Sequence, residues 1–288
     1  MVLPLIEILT PKENTLMSLL GTTQATDMVH INMTDTLDTA ASAAVREGEA
    51  LTGRALTTPA RVSNVVQVIA KTYVVTDAQK MIQHWHSEDE LSRQRTKGLT
   101  DWGNSTEFDL MRSTLVSGVS GTIPKMSGVL EAISRSTTYS AQTSGTVWSA
   151  SVLKGCMKAN WDASNGDVAT DLILGSYLKS ATDDFANKTQ NVITGANVRE
   201  VILSTDVFET GLGKVAVHTS RYLYQSGDAT GRVLGIRPDK LKIAYLQRPY
   251  VKELPSSGPY TTESVIGMLT LEVRNRTSNF YQTGLFIG

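Results

Sequence analysis

The side chains that most often bind metals are few and scattered in this sequence. Two of its four histidines, His84 and His86, are two positions apart. On a strand they would share one face, so both could ligate a metal. The sequence has no HExxH-like partner near them, and His30 and His218 are remote along the chain. We therefore expect polar residues at the entry to a helix here, and no metal site.

The single cysteine, Cys156, excludes a disulfide within the chain and a zinc site built from several cysteines. No histidine or asparagine pattern accompanies it, so a catalytic nucleophile is not indicated. We expect a small buried side chain within the segment VLKGCMKA. This cysteine usage fits assembly in a reducing cytoplasm.

Motifs for nucleotide binding and hydrolysis are incomplete. Gly213-Lys214 lacks the earlier glycine and the following Ser or Thr of a Walker loop. Residues 211–216 fit GxGxxA, but a dinucleotide site needs this motif to open a helix, and the residues that follow alternate as in a strand. The sequence has no GxSxG, and its acidic pairs are typical of helix caps or solvated charge. No catalytic residue and no cofactor is predicted.

The charge balance limits the classes of partner. Among 288 residues, 27 are Lys or Arg and 28 are Asp or Glu, which argues against a dedicated nucleic-acid binder. With 41% apolar residues the chain is predicted to be globular, as one large domain or two ordinary ones. Its apolar start has no leading basic residue and is interrupted by Pro4 and Glu7, so neither a signal peptide nor a membrane span is predicted.

The first predicted element is a short helix after this apolar tail. Residues 10–13 form a capping box with proline at the first helical position. This predicts a helix that ends at Leu20, before Gly21. The tail in front of it needs a surface to lie on, its own or a neighbour's.

Two strands separated by an irregular excursion come next. Apolar and polar residues alternate over 29–34, which predicts a strand. Residues 39–61 show neither a helical nor a strand period. Val62 to Thr76 are rich in Val, Ile, Thr and Tyr, and one strand of that length would reach about 50 Å at about 3.3 Å per residue.

A long helix is predicted after the second strand. Ser87 and Glu90 form a capping box, and a narrow apolar stripe continues to Gly118, which predicts a helix that lies along a surface. It is one helix of about 30 residues or two helices joined near Gly103, because each interior glycine costs about 1 kcal/mol relative to alanine.

The second half of the chain mixes helices and strands. Helices are predicted at 149–162 and 167–187, and strand-like runs at 198–203, 214–218, 233–236, 241–246 and 269–273. The order of elements predicts an α+β fold rather than a regular βαβ alternation.

Three of these features fit poorly in an isolated monomer: the apolar tail, the two-armed excursion and the long helix. A two-stranded ribbon alone is marginally stable in water. The long strand has apolar side chains on both faces between Val65 and Val75. Full burial of each such side chain is worth about 1.5–3 kcal/mol, so we expect the outer part of the ribbon to be covered by a neighbouring subunit.

The order of several segments resembles a known family. VREGEALTGRALTTPARVSNVVQVIAKTYVVTDAQKM, then a long helix, then GTIPKMSGVLEAI, resembles the major capsid proteins of tailed bacteriophages with the Hong Kong 97-type fold. The segments DVFETGLGKVAVHTSRYL and LTLEVRNRTSNFYQTG look like a branch of these coat proteins. The match covers about 45–130 and 198–284.

The resemblance implies a domain layout and a set of subunit contacts. It divides the chain into an N-arm (1–28), a strand with an E-loop hairpin (29–80), a P-domain with a spine helix (81–130 and 232–288) and an A-domain (131–231). The E-loop and N-arm of this family lie on neighbouring subunits. The implied E-loop contacts are Arg46, Glu47, Gly48, Glu49, Arg54, Pro59 and Arg61, and the implied N-arm contacts are Leu3, Leu5, Ile6, Ile8 and Leu9.

The implied function is that of a major capsid protein. It would assemble in the host cytoplasm as hexamers and pentamers into the icosahedral head of a virion around double-stranded DNA, without sequence-specific binding or a membrane. An encapsulin-like bacterial nanocompartment shell is the alternative. An enzyme would need a convergent His/Asp/Glu cluster, for which the sequence shows no signature.

One departure from the family concerns covalent cross-linking. Some relatives join subunits by an isopeptide bond from an E-loop lysine, whereas residues 47–70 contain no lysine. The resemblance therefore implies non-covalent stabilisation here, with a decoration protein as a possible addition. The chain starts directly with the arm, which implies a separate scaffolding protein, and the shell would also carry a portal.

Overall fold

The computed structural model of the chain describes residues 14–37, 42, 44–48, 50, 53, 58–82, 89–134, 146–187, 207–223 and 231–286. Its helices are α1 (Thr15–Leu19), α2 (Asp77–Met81), α3 (Glu90–Arg112), α4 (Val129–Ser134), α5 (Ala150–Ser164) and α6 (Ser176–Asn187). Its strands are β1 (Gly21–Gln24), β2 (Val29–Thr34), β3 (Ala60–Val65), β4 (Gln67–Thr76), β5 (Thr146–Val147), β6 (Asp171–Leu174), β7 (Val207–Thr210), β8 (Gly213–Thr219), β9 (Gly231–Ile236), β10 (Leu241–Leu254), β11 (Tyr260–Val273) and β12 (Phe280–Phe286). This is the α+β composition that the sequence predicts.

The strands form two sheets and a separate ribbon. One sheet has the order β1-β10-β11-β4, and α3 packs against it. The second sheet has the order β5-β12-β9-β6-β8-β7 and packs with α5 and α6 around a core that contains Cys156, which is fully buried as predicted. The ribbon consists of β2 and β3 alone.

The first helix is capped from a distance and not by its own sequence. α1 begins at Thr15, and the side chain of Asn14, its N-cap residue, makes no capping hydrogen bond. Instead the buried carboxylate of Glu107 on α3 accepts the backbone N–H groups of Leu16 at 2.6 Å and Met17 at 3.0 Å. The predicted end of the helix is confirmed. Residues 10–13, where the capping box was predicted, lie outside the described residues.

The long helix is single, continuous and shorter than predicted. α3 begins after Asp89, whose side chain accepts the N–H of Leu91, and it ends at Arg112 instead of Gly118. The helix is not interrupted at Gly98 or Gly103. At both positions a neighbouring side chain leaves little room for a Cβ, which accounts for the glycine. A Cβ at Gly98 would lie 2.8 Å from the ring of Tyr73, and one at Gly103 would lie 3.2 Å from the side chain of Asn14. Ser87, the predicted cap, lies outside the described residues.

The predicted strand from Val62 to Thr76 is wrong as a single element. The chain changes sheets at Val66, so β3 pairs with β2 whereas β4 pairs with β11. Val66 is fully buried against Ala25 and Ala244, and its N–H donates to the carbonyl of Met28 at 2.8 Å. A ribbon of about 50 Å does not form.

The expected exposure of β4 is therefore corrected as well. Ile69 and Val75 on β4 are buried within their own chain, with 6% and 1% of their surfaces exposed. Only the alternate face of β4, which includes Val68 and Val74, is open to solvent among the described residues.

One predicted helix in the second half is also corrected. The helix at 149–162 is confirmed as α5, but 167–187 divides into a loop, β6 and α6. β6, with the sequence DLIL, lies between β8 and β9 inside the six-stranded sheet. Its run of three apolar residues, Leu172 to Leu174, shows no period that distinguishes a buried strand from a helix. The strand predicted at 198–203 lies outside the described residues.

Candidate subunit-contact surface

The groups that could carry chemistry do not converge among the described residues. No cluster of three or more His, Cys, Asp or Glu side chains that could hold a metal is found there. His30 and His218 each pair with one carboxylate, Glu272 at 2.8 Å and Asp171 at 3.0 Å. His84 and His86 lie outside the described residues. Residues 211–212 form the turn between β7 and β8, so the GxGxxA segment opens no helix, as predicted.

The β2–β3 ribbon is the base of the hairpin predicted as an E-loop. Its strands pair antiparallel, with Val29 opposite Val65 and Thr34 opposite Ala60. Side chains alternate between two faces along each strand. One face, the inner face, lies over the end of β11 and the segment before α4. The other, the outer face, points away from the body.

The inner face of the ribbon is polar and hydrogen-bonded to the body. Asn32 donates from Nδ2 to the carbonyl of Val273 at 3.0 Å, and His30 is hydrogen-bonded to the buried carboxylate of Glu272. Burial alone would raise the pKa of Glu272, but hydrogen bonds from Arg274 and His30 outweigh it and hold that pKa below its ordinary value. Glu272 is thus favoured as a carboxylate that binds the ribbon to β11.

The outer face of the ribbon is apolar along β2, whereas β3 contributes Arg61 and Ser63 to it, opposite Met33 and Ile31. Val29, Ile31 and Met33 alternate along β2 and have 45%, 50% and 61% of their surfaces exposed. We call these three residues the β2 stripe. In a monomer the apolar side of an amphipathic ribbon packs on the core and its polar side faces water. β2 has the opposite arrangement, with His30 and Asn32 towards the body and the β2 stripe outward, which marks the stripe as a candidate contact surface for another macromolecule.

Five of the predicted E-loop contacts lie in the described residues, and all five are exposed: Arg46, Glu47, Gly48, Pro59 and Arg61. Gly48 lies in a turn at φ +80°, a left-handed conformation that favours glycine, so the Glu47-Gly48 pair does mark a turn. Glu49 and Arg54 lie outside the described residues, as do the N-arm residues Leu3, Leu5, Ile6, Ile8 and Leu9.

The β2 stripe was missed as a site by the sequence prediction, although its strand was identified. Alternation shows that two faces differ but not which face the body covers. Leu37 and Val45 lie outside the strands and have 97% and 63% of their surfaces exposed; they were also missed, because their segments show no period that would predict their exposure.

None of the helices among the described residues is long and apolar enough to cross a membrane.

The family model of the SU10 major capsid protein matches residues 2–286 of the sequence. The chain belongs to the SU10 major capsid protein family. A search of curated proteins found no match.

Solved structures share the fold of this capsid protein. The capsid of a native GTA particle matches with a TM-score of 0.68 at 11% identity, covering 100% of this chain and 94% of the other. The capsid of the Myoviridae phage XM1 matches with a TM-score of 0.62 at 10% identity, covering 97% and 95%. The holo-SrpI encapsulin complex from Synechococcus elongatus matches with a TM-score of 0.64 at 10% identity, covering 99% and 91%. Both phage capsids and an encapsulin thus have this fold, and the family match identifies the chain as a phage major capsid protein.

Proposed function

We propose that this capsid protein closes into an icosahedral head shell of hexamers and pentamers, in which the outer face of each β2–β3 ribbon packs on the next subunit. The β2 stripe carries the proposal, because three aliphatic side chains are displayed on a ribbon that is bonded to the body by its polar side. Full burial of each would stabilise the contact by about 1.5–3 kcal/mol.

The remaining predicted contacts extend the same surface. Arg46 and Glu47 are exposed, and Arg61 is exposed on β3 opposite Met33; charges at the rim of a contact set register and partner choice more than affinity. We place Glu49, Arg54 and the apolar N-arm residues in the same intersubunit contacts. The domain layout predicted from the sequence, with N-arm, E-loop, P-domain and A-domain, stays part of the proposal.

The direct test replaces part of the β2 stripe in the full chain. Ile31→Ser together with Met33→Ser removes apolar surface that is at least half exposed in the single subunit, so the thermal unfolding midpoint should change little. Shell formation, followed by electron microscopy and sedimentation, should be lost. Normal shells from this variant would contradict the proposed contact.

A matched control asks whether the loss of any two exposed aliphatic side chains has the same effect. Val119 and Ile123 lie in the loop after α3 and have 70% and 75% of their surfaces exposed. Val119→Ser with Ile123→Ser should retain shell formation. Shells lost in both variants would show that the effect is not specific to the ribbon.

The content of the particles distinguishes a phage head from an encapsulin-like nanocompartment, the two kinds of shell with this fold. We propose double-stranded DNA, since the nearly equal numbers of basic and acidic residues suit a wall that contains a genome without binding it tightly through counterion release. Particles purified from infected cells should contain long DNA. A single packaged enzyme in its place would favour the encapsulin-like alternative.

We further propose that subunits are held without covalent cross-links, because residues 47–70 contain no lysine. A separate scaffolding protein, a portal and a decoration protein are the proposed partners of assembly in the host cytoplasm.

A further inference from the structure

The point where the chain passes from the ribbon to the body is bracketed by two buried amides. Val66 lies between β3, which ends at Val65, and β4, which begins at Gln67. Asn64 precedes it by two positions and Gln67 follows it directly, and each has only 8% of its surface exposed. Short polar side chains are uncommon in such positions unless they are fully hydrogen-bonded.

The side chain of Asn64 uses its full hydrogen-bonding capacity. Its Nδ2 donates to the carbonyls of Leu271 at 2.8 Å and Ser127 at 3.1 Å. Its Oδ1 accepts the N–H groups of Ser127 at 2.8 Å and Val65 at 2.9 Å. An asparagine side chain offers two donors and two acceptor positions, and all four are occupied here.

Gln67 makes the equivalent connection on the other side of Val66. Its Nε2 donates to Oδ2 of Asp109 on α3 at 2.7 Å, and its Oε1 accepts the N–H of Met126 at 3.2 Å. The two amides thus bind consecutive residues of one segment, Met126 and Ser127. They connect the base of the ribbon to β11, to α3 and to the segment before α4.

These bonds hold the base of the ribbon, and those of His30 and Asn32 hold β2 farther along, so together they fix the direction in which the ribbon leaves the body. The ribbon is a lever about 17 Å long from Val29 to Thr34, so a tilt of about 10° at its base would move its tip by about 3 Å. A displacement of that size is enough to spoil the packing of a close apolar contact. In a closed shell the angles between neighbouring subunits determine its curvature, so the base of the ribbon bears on the size of the shell.

We propose that Asn64 is a positioning residue: together with Gln67 it sets the angle of the β2–β3 ribbon and through it the geometry of the shell. The inference rests on the proposed function, in that the ribbon must contact the next subunit. Asn64 itself acts through the ribbon and needs no contact with the neighbour.

The angle can be measured in the unassembled subunit by pulsed electron spin resonance between nitroxides at Met33→Cys and Val74→Cys. Both native side chains are more than half exposed, and Cys156 is fully buried and does not react. The chain from Arg61, opposite Met33, to Val74 spans at most about 43 Å, which suits the method. The wild-type background should give one narrow distance distribution, and Asn64→Ala should widen it, because the base of the ribbon loses its side-chain bonds to Leu271 and Ser127.

Asn160 provides the matched control. It has 1% of its surface exposed, donates to the carbonyl of Thr277 at 2.8 Å and accepts the N–H of Ala169 at 2.9 Å, so it is a buried bridging asparagine remote from the ribbon. Asn160→Ala should lower the thermal unfolding midpoint as Asn64→Ala does, and should leave the distance distribution narrow.

Shell geometry is then compared by electron microscopy, with Met33 and Val74 intact. Asn64→Ala should lose most of the complete shells of wild-type diameter, because it removes the side-chain bonds from the ribbon to Leu271 and Ser127, whereas Asn160→Ala should not. Gln67→Ala is the second variant if Asn64→Ala does not fold, and the same results are expected from it.

The outcomes separate this inference from the proposed function. A narrow distance distribution in both Asn64→Ala and Gln67→Ala overturns the inference. A wide distance distribution together with shells of normal diameter overturns it as well. If the wild-type chain forms no shells with any partner, the proposed function fails, while the distance measurement still decides whether Asn64 fixes the ribbon.

Discussion

At the scale of single residues, one polar cluster joins α3 to the sheet. Arg95 on α3 pairs with Glu263 on β11 through both guanidinium and carboxylate edges, and Tyr73 on β4 donates to the same carboxylate at 2.7 Å. The hydrogen bonds from Arg95 hold the pKa of Glu263 below its ordinary value, against the effect of burial. Burial, followed by the bond to Glu263, raises the pKa of Tyr73 from 10.0 to about 12.

The raised pKa of Tyr73 makes alkaline stability testable. Because the folded chain holds this phenol proton more tightly than the unfolded chain, its contribution is fully present below pH 10.0 and is lost as the pH rises through about 12. Tyr73→Phe should reduce the late phase of the tyrosinate absorbance titration, and Tyr245, whose pKa is also raised by burial, should account for the remainder. The substitution should also flatten the loss of unfolding free energy over that pH range.

Tyr177→Phe, on α6, controls for the removal of a phenol elsewhere in the chain. Parallel loss of stability in the wild type and Tyr73→Phe between these pH values would show that Tyr73 is not the responsible group.

At the scale of elements, Gly128 sets how closely α4 follows α3. Its N–H donates to the carbonyl of Ser113 at 2.7 Å. A Cβ at this position would lie 2.8 Å from the nitrogen of Ser113 and 2.9 Å from the carbonyl oxygen of Asp109. Both are backbone atoms of the last turn of α3 and the residue after it, so they cannot move aside without disturbing the helix end.

Gly128→Ala should therefore reduce the free energy of unfolding by about 1–3 kcal/mol, measured by urea denaturation. Gly155→Ala is its matched control, because Gly155 lies inside α5 with nothing within 4 Å of the added Cβ. That variant should gain up to about 1 kcal/mol from helix propensity. Equal midpoints for Gly128→Ala and the wild type would contradict the crowding argument.

The elements also show how far the sequence could predict this fold. Local patterns located β2, α5 and the end of α1, because period and caps lie within a few residues of one another. The cap of α1 could not be found, since Glu107 is 91 positions from Leu16. The break at Val66 was equally hidden, because β-propensity does not reveal which partner strand each half will take.

The site was predictable to a similar degree. The resemblance located the hairpin and its charged residues, and the family match agrees with it. The β2 stripe could not be recognised, since its exposure depends on the partners of His30, Asn32 and Asn64 on the opposite face. The expectation of apolar side chains uncovered on both faces of the long strand was wrong for β4, where Ile69 and Val75 are buried and only the face with Val68 and Val74 is exposed.

At the scale of the whole molecule, we expect the fold of the subunit and its assembly to depend on different parts of the hairpin. β2 and β3 are bonded to the body through His30, Asn32 and Asn64, which lie in the strands and not in the loop between them. Shortening that loop changes its closure entropy only slightly. A deletion in the loop should therefore act on the contact between subunits and spare the subunit itself.

Deleting residues 52–58 should leave the thermal unfolding midpoint of the subunit unchanged and abolish shell formation, measured by calorimetry and electron microscopy. Replacing the same residues with an equal number of Gly and Ser separates reach from side-chain chemistry. If this second variant assembles, only the length of the loop matters. Normal particles from the deletion would show that the loop does not join subunits, because every contact in a closed shell is repeated and none could be spared.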